Sequence, residues 1–138
     1  MSNIELHQAA HRSMSEEGAE QAAAYFAPDV VYTDAARGLT LKGKDETTGW
    51  LREWKTAFSD ARVADGTYLD AGDWTISRFQ ARGVNDGPFA NLAATGKELD
   101  VPFCELLRWQ DGKVIEGAMY YDTATMMVQL GHMEAPGA

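Results

Sequence analysis

Gln110-Asp111-Gly112-Lys113-Val114-Ile115-Glu116-Gly117-Ala118-Met119-Tyr120-Tyr121-Asp122-Thr123-Ala124-Thr125-Met126-Met127-Val128-Gln129-Leu130-Gly131 reads as a turn, a strand, a carboxylate and a helix. Asp111-Gly112 marks a tight hairpin, because both residues tolerate the positive φ that a primed turn demands. Val114 to Tyr121 is rich in β-formers and aromatics and continues as a strand. Thr123 to Leu130 reads as a helix that Gly131 closes with a left-handed cap. Asp122 therefore stands at a strand end, where sites tend to be built.

Working outward, Val63–Leu69, Trp74–Gly83 and Leu99–Trp109 each fit a strand and are separated by turns bearing Gly or Asp. With the last strand they make four in sequence, which implies an antiparallel sheet. Before them, Ile4–Met14 and Glu16–Phe26 read as consecutive helices, the second opening at Ser15 and ending at Pro28. Asp29–Asp34 and Leu39–Leu41 follow as short strands. Lys44–Phe58 is a helix with Trp50, Trp54 and Phe58 on one stripe. Helices first and a meander of strands afterwards is the order of an α+β fold. The loop 85–97 is longer than a hairpin needs and reads as a binding loop or pocket rim. Residues 132–138 read as a loose tail of a single domain spanning 1–138.

Composition narrows the partners. With 12 Lys and Arg against 21 Asp and Glu, the chain carries a net charge of −9, and no basic cluster could neutralise phosphates, which argues against nucleic acid. An uncharged or moderately polar small molecule fits better. A lone Cys104 cannot form an internal disulfide, and neither a signal-type N-terminus nor a membrane-length apolar run is present. Cytoplasmic residence is the expectation.

Asp29-Val30-Val31, Gly43, Ala57-Phe58-Ser59-Asp60-Ala61-Arg62, Gly87-Pro88-Phe89, Thr95-Gly96-Lys97, Asp111-Gly112-Lys113-Val114-Ile115-Glu116, Asp122 and Gln129-Leu130-Gly131, taken in that order, resemble the SnoaL-like polyketide cyclases of the nuclear transport factor 2-like superfamily. The resemblance covers about residues 4–131. It implies a cone-shaped, curved antiparallel sheet wrapped around N-terminal helices. It also implies intramolecular aldol-type chemistry without metal or organic cofactor, and Asp122 matches the position of the family's acid/base aspartate. Three positions depart from the family pattern. Gly83-Val84-Asn85 stands where Gly-Thr-His is frequent, Thr33 where a His is common, and Ala118 where a Trp is common.

Asp122 is accordingly the candidate acid/base, because a carboxyl near apolar walls loses hydration and its pKa rises. Its rival role is to cap the helix by accepting the Thr125 amide, which would lower that pKa. Simple alternation puts Val114, Glu116, Ala118, Tyr120 and Asp122 on one face of the last strand. Asn85 is the candidate for holding a carbonyl or enolate oxygen, with a turn role as the alternative. Tyr32, Asp34, Trp54, Phe58, Phe79, Phe89, Glu105 and Tyr120 are candidates for the substrate walls. Glu105 reads either as a second buried carboxylate of raised pKa or as the partner of Arg78 or Arg82. His7 and His11, at i and i+4 without the glutamate of an HExxH pattern, read as a solvated face, so no metal is expected. The expected function is proton transfer on a hydrophobic carbonyl compound. A non-catalytic carrier and an interaction module are the alternatives. Trp74 and Ile76, with Trp109 as a further candidate, on an uncovered sheet face suggest a homodimer.

Overall fold

The computed structural model, which describes residues 1–137, runs α1 (Asn3–Glu16), α2 (Ala19–Ala23), β1 (Phe26–Asp34), β2 (Leu39–Lys42), α3 (Lys44–Ala57), β3 (Arg62–Ala71), β4 (Trp74–Val84), β5 (Glu98–Gln110), β6 (Lys113–Tyr121) and α4 (Thr123–Leu130). They build a six-stranded sheet in the order β2-β1-β6-β5-β4-β3. The meander β3 to β6 is antiparallel throughout. One pair departs from the antiparallel expectation: β1 lies parallel to β6. Pro28 does not end a second helix as expected. That helix shortens to five residues, and β1 already begins at Phe26. Ser15 does not cap it either, since its hydroxyl donates to the His11 carbonyl at 2.9 Å and accepts the Val63 amide at 2.9 Å, tying α1 to β3.

The helices pack on one face of the curved sheet, α1 against β3 and β4 and α3 against β1 and β2. Trp50, Trp54 and Phe58 from α3 and its C-cap meet Phe79, Phe103, Met119 and Leu107 from the strands in a single apolar cluster. Each large side chain so buried contributes roughly 1.5–3 kcal/mol.

Two β-bulges decide which side chains point inward. Arg108 pairs with Glu116 and the adjacent Trp109 with Val114, so Ile115 is an extra residue on β6. The inward set therefore changes from Val114 to Gly117 and Met119, and Glu116, Ala118 and Tyr120 turn outward. On β3 an extra residue between Ala64 and Thr67, where Asp65 takes φ 53°, brings Tyr68 opposite Ser77 on the inner face. Gly117 is required by close packing, because a Cβ there would lie 2.6 Å from the Tyr32 ring and 2.9 Å from Leu107.

Candidate functional site

Glu105 occupies the middle of β5, on the inward parity shared with Val101, Phe103, Leu107 and Trp109. It is 6% exposed, and a charge so placed must be paired. The partners come from three directions. His11 Nε2 lies 2.6 Å from Oε1 and His7 Nε2 3.0 Å from the same atom, while the Tyr32 hydroxyl donates to Oε2. Both histidines lie on the face of α1 turned to the sheet, one helical turn apart, with ring centroids 4.6 Å apart.

The tautomers follow from the outer partners. Trp109 Nε1 can only donate, so Thr75 Oγ1 accepts from it at 2.8 Å and directs its own proton to His7 Nδ1 at 2.8 Å. His7 Nε2 then carries the hydrogen that Glu105 accepts. The Tyr68 hydroxyl stands 2.7 Å from His11 Nδ1.

Burial by itself pushes the Glu105 pKa up, but hydrogen bonds from His11 and His7 outweigh it and hold the carboxyl well below its usual range. Burial lowers the pKa of His7, which stays neutral. Burial, reinforced by the Glu105 charge, keeps the Tyr32 phenol protonated. The resting cluster is a carboxylate that accepts from three side chains, of which His7 and Tyr32 are held neutral. This corrects the expectation of a raised pKa for Glu105, and also its pairing with Arg78 or Arg82. Arg82 instead pairs outside with Asp65 and Asp100.

His11 and Glu105 form the polar end of a cavity of about 100 Å³ whose other walls are almost entirely apolar. Trp50, Trp54 and Phe58 enclose it from α3, Phe79 and Ala81 from β4, and Phe103 from β5. Arg62 and Arg82, exposed and half-buried, also border it, together with Met14 and Val63. His11 also borders a polar groove on the other side, shared with Gln8, Arg12, Ser15 and Tyr68. Among the described residues, Trp54 Nε1 and Ser77 Oγ are buried side-chain polar atoms with no hydrogen-bond partner.

The sequence-derived candidates divide. Trp54, Phe58, Phe79 and Glu105 line the cavity together. Tyr32 reaches it only through Glu105. Phe89 packs on Trp54 and Phe58 behind the wall, with Arg37 over its ring. Asp34 is fully buried but spent on structure: it accepts from Trp50 Nε1 at 2.9 Å, from the Tyr121 hydroxyl at 3.0 Å and from the Arg37 amide at 3.2 Å. Tyr120 points outward, 49% exposed. Asp122 is exposed and caps α4, accepting the Ala124 amide at 3.0 Å, the Thr125 amide at 3.3 Å and the Thr125 hydroxyl at 2.7 Å. The Thr125 hydroxyl and amide lower its pKa, opposite to what a buried base needs. Asn85 anchors the long loop, donating to the Ala57 and Gly87 carbonyls and accepting the Thr95 amide at 3.0 Å. Neither Asp122 nor Asn85 is among the residues that line the cavity.

His7 and His11 are buried, 0% and 8% exposed, where a solvated face was expected. The signal that could have found them was present. Two histidines on one helical stripe and a glutamate on the otherwise apolar inward parity of β5 are natural partners, separated by ninety-odd residues.

The model of the family described as SnoaL-like polyketide cyclase matches residues 4–130. No curated protein matches. Several solved structures share the fold. A candidate polyketide cyclase from Pseudomonas putida KT2440 superposes with a TM-score of 0.86 at 20% identity, covering 94% of this chain and 98% of that one. IdmH, a candidate polyketide cyclase from Streptomyces antibioticus, gives 0.78 at 21%, covering 92% and 96%. A protein of ketosteroid isomerase-like fold from Catenulispora acidiphila DSM 44928, crystallised with trimethylamine, gives 0.81 at 22%, covering 94% and 95%. With the family model spanning nearly the whole domain, the chain belongs to the SnoaL-like polyketide cyclase family.

Proposed function

We propose that the protein carries out acid/base chemistry, needing no metal or organic cofactor, on a small apolar carbonyl compound held in the cavity, with Glu105 as base and His11 as hydrogen-bond donor. One observation carries this reading: an ionised carboxylate bonded to an imidazole at the polar end of an otherwise apolar chamber. A cavity of about 100 Å³ lies below the roughly 300–1,000 Å³ usual for drug-sized ligands, so a molecule of about one ring is favoured.

The resting cluster contains its own activation step. After burial, the His11 hydrogen bond is the largest influence on the Glu105 pKa, and it acts downward. A ligand carbonyl that draws the His11 N–H onto itself removes that bond, so burial, which acts upward, is opposed by one donor fewer, with the His7 hydrogen bond remaining. The carboxylate becomes more basic at the moment a substrate is present, and takes the proton from the carbon beside the carbonyl. The His11 N–H then holds the developing enolate oxygen.

Deuterium exchange into aryl methyl ketones in D2O tests this. Exchange above the buffer rate is expected for the wild type and for Asp122→Asn, and loss is expected for Glu105→Gln and His11→Gln. Exchange that survives both of those variants refutes the assignment. A non-catalytic carrier is the second reading, favoured by the sparsely polar lining. It requires tight ligand binding with no exchange.

We propose further that the outer sheet face, where Val31, Trp74, Leu106, Ile115 and Tyr120 border one shallow groove, is covered by a second copy of the chain. Trp109, once a candidate for that face, is 4% exposed and belongs to the core. Light scattering on wild type and Tyr120→Glu is expected to show a dimer and a monomer respectively; a monomeric wild type refutes the interface.

A further inference from the structure

We infer that His7, His11 and Glu105 form a binding site for one divalent first-row transition metal ion, Zn²⁺ in the first instance. The three residues offer ligand atoms that all lie within 4.8 Å of one another. Two histidines and one carboxylate are a known catalytic zinc ligand set, and an i, i+4 histidine pair on a helix is its usual chelating half. Gln8 stands where the HExxH pattern has its glutamate, and it is exposed. The site therefore lacks a metalloprotease base and would act by binding alone.

Three features prepare the cluster for a cation. Each imidazole already has its outer nitrogen fixed by a hydroxyl, Thr75 at 2.8 Å and Tyr68 at 2.7 Å, as metal-bound histidines do. A hydroxyl both donates and accepts, so each can turn and receive an Nδ1–H, freeing the Nε2 lone pair for metal without expelling a proton. Ser77 is 0% exposed, faces Glu105 across the β4–β5 pair and Tyr68 across the β3–β4 pair, and among the described residues its Oγ has no hydrogen-bond partner of good geometry beyond its approach to the Tyr68 hydroxyl. A bound ion, or the water it carries, would satisfy this hydroxyl. Both Nε2 atoms now sit 2.6 and 3.0 Å from Glu105 Oε1. Tetrahedral zinc with ligands at about 2.0–2.1 Å needs roughly 3.3 Å between them, an opening of under about 1 Å. His11 and Glu105 also line the cavity, which would supply a water or small ligand to complete the coordination.

This inference is independent of the proton-transfer reading, and a bound ion would block that reaction by occupying its base. The test is titration of metal-free full-length protein with ZnCl₂ by calorimetry and with CoCl₂ by visible absorption. The expected result is one ion per chain, with Co²⁺ bands of four- or five-coordinate intensity. His11→Gln and Glu105→Gln should each weaken binding by more than about 100-fold, Thr75→Val by about 10–100-fold, and His132→Gln not at all. Absence of stoichiometric uptake by the wild type at millimolar metal overturns the site. So does uptake that survives His11→Gln and Glu105→Gln, or that disappears in His132→Gln.

Discussion

Replacing Glu105 by Gln changes no volume and removes one buried charge, so its consequence can be worked from the hydrogen bonds alone. The carboxylate accepts from His7, His11 and Tyr32. A hydrogen bond to a charged group contributes about 1.5–3 kcal/mol. Glutamine retains one acceptor oxygen but turns an amide donor toward groups that are themselves donors, so at least one contact becomes repulsive. The loss should be about 3–5 kcal/mol, the range for breaking one side of a buried ionic network. A domain of this size holds about 5–15 kcal/mol in total, so the variant folds with a much lower urea midpoint. The pH profile separates this cause from a general packing defect. Folding lowers the pKa of Glu105 from 4.5 and that of His7 from 6.5. Between the folded and unfolded values the unfolded chain binds more protons, so stability is complete above about pH 6.5 and falls as pH drops. Each group contributes a slope of up to about 1.4 kcal/mol per pH unit. Glu105→Gln should keep the His7 slope and lose the steeper part below pH 4.5. Urea unfolding followed by tryptophan fluorescence at a series of pH values measures both. A loss under about 1 kcal/mol, or an unchanged slope below pH 4.5, refutes the reasoning.

Other perturbations act at separate places. Gly117→Ala should cost about 1–3 kcal/mol by driving a methyl into the Tyr32 ring and Leu107, measured by the same unfolding curves; no change would mean that Tyr32 can yield. Asp122→Ala removes the α4 cap and should lower the melting temperature by about 2–5 °C while leaving ligand binding unaltered, as calorimetry would show. Ala81→Phe, from the half-buried cavity wall of β4, should fill the chamber and abolish ketone binding with the fold retained, monitored by quenching of Trp50 and Trp54 fluorescence.

The order of elements, the hairpin at Asp111-Gly112 and the helix cap at Gly131 were legible because each depends on a few neighbouring residues. Gly131 does take φ 83°. The aromatic stripe of α3 was legible for the same reason, since Trp50, Trp54 and Phe58 share a face whatever packs on it. The site was not, and the bulges explain much of the gap. One extra residue at Ile115 reverses the faces of the last strand, so alternation counted from Val114 put Tyr120 and Asp122 inside when both are outside. A bulge at Asp65-Gly66 turns Tyr68 toward His11. The histidines escaped notice because hydropathy treats imidazole as polar and the carboxylate that satisfies it lies on a distant strand. Asp34 shows the opposite case: its burial at the end of β1 could be guessed, but its service to Trp50 and Tyr121 depends on tertiary contacts.

A crystal structure of the protein soaked with an aryl methyl ketone tests most directly whether Glu105 and His11 are the reactive end of a ligand cavity. The expected result is the ring among Trp54, Phe58 and Phe103, with the carbonyl oxygen at hydrogen-bond distance from His11 and the methyl carbon against Glu105. A ketone bound beside Asp122, or a cavity that stays closed to it, would contradict that assignment.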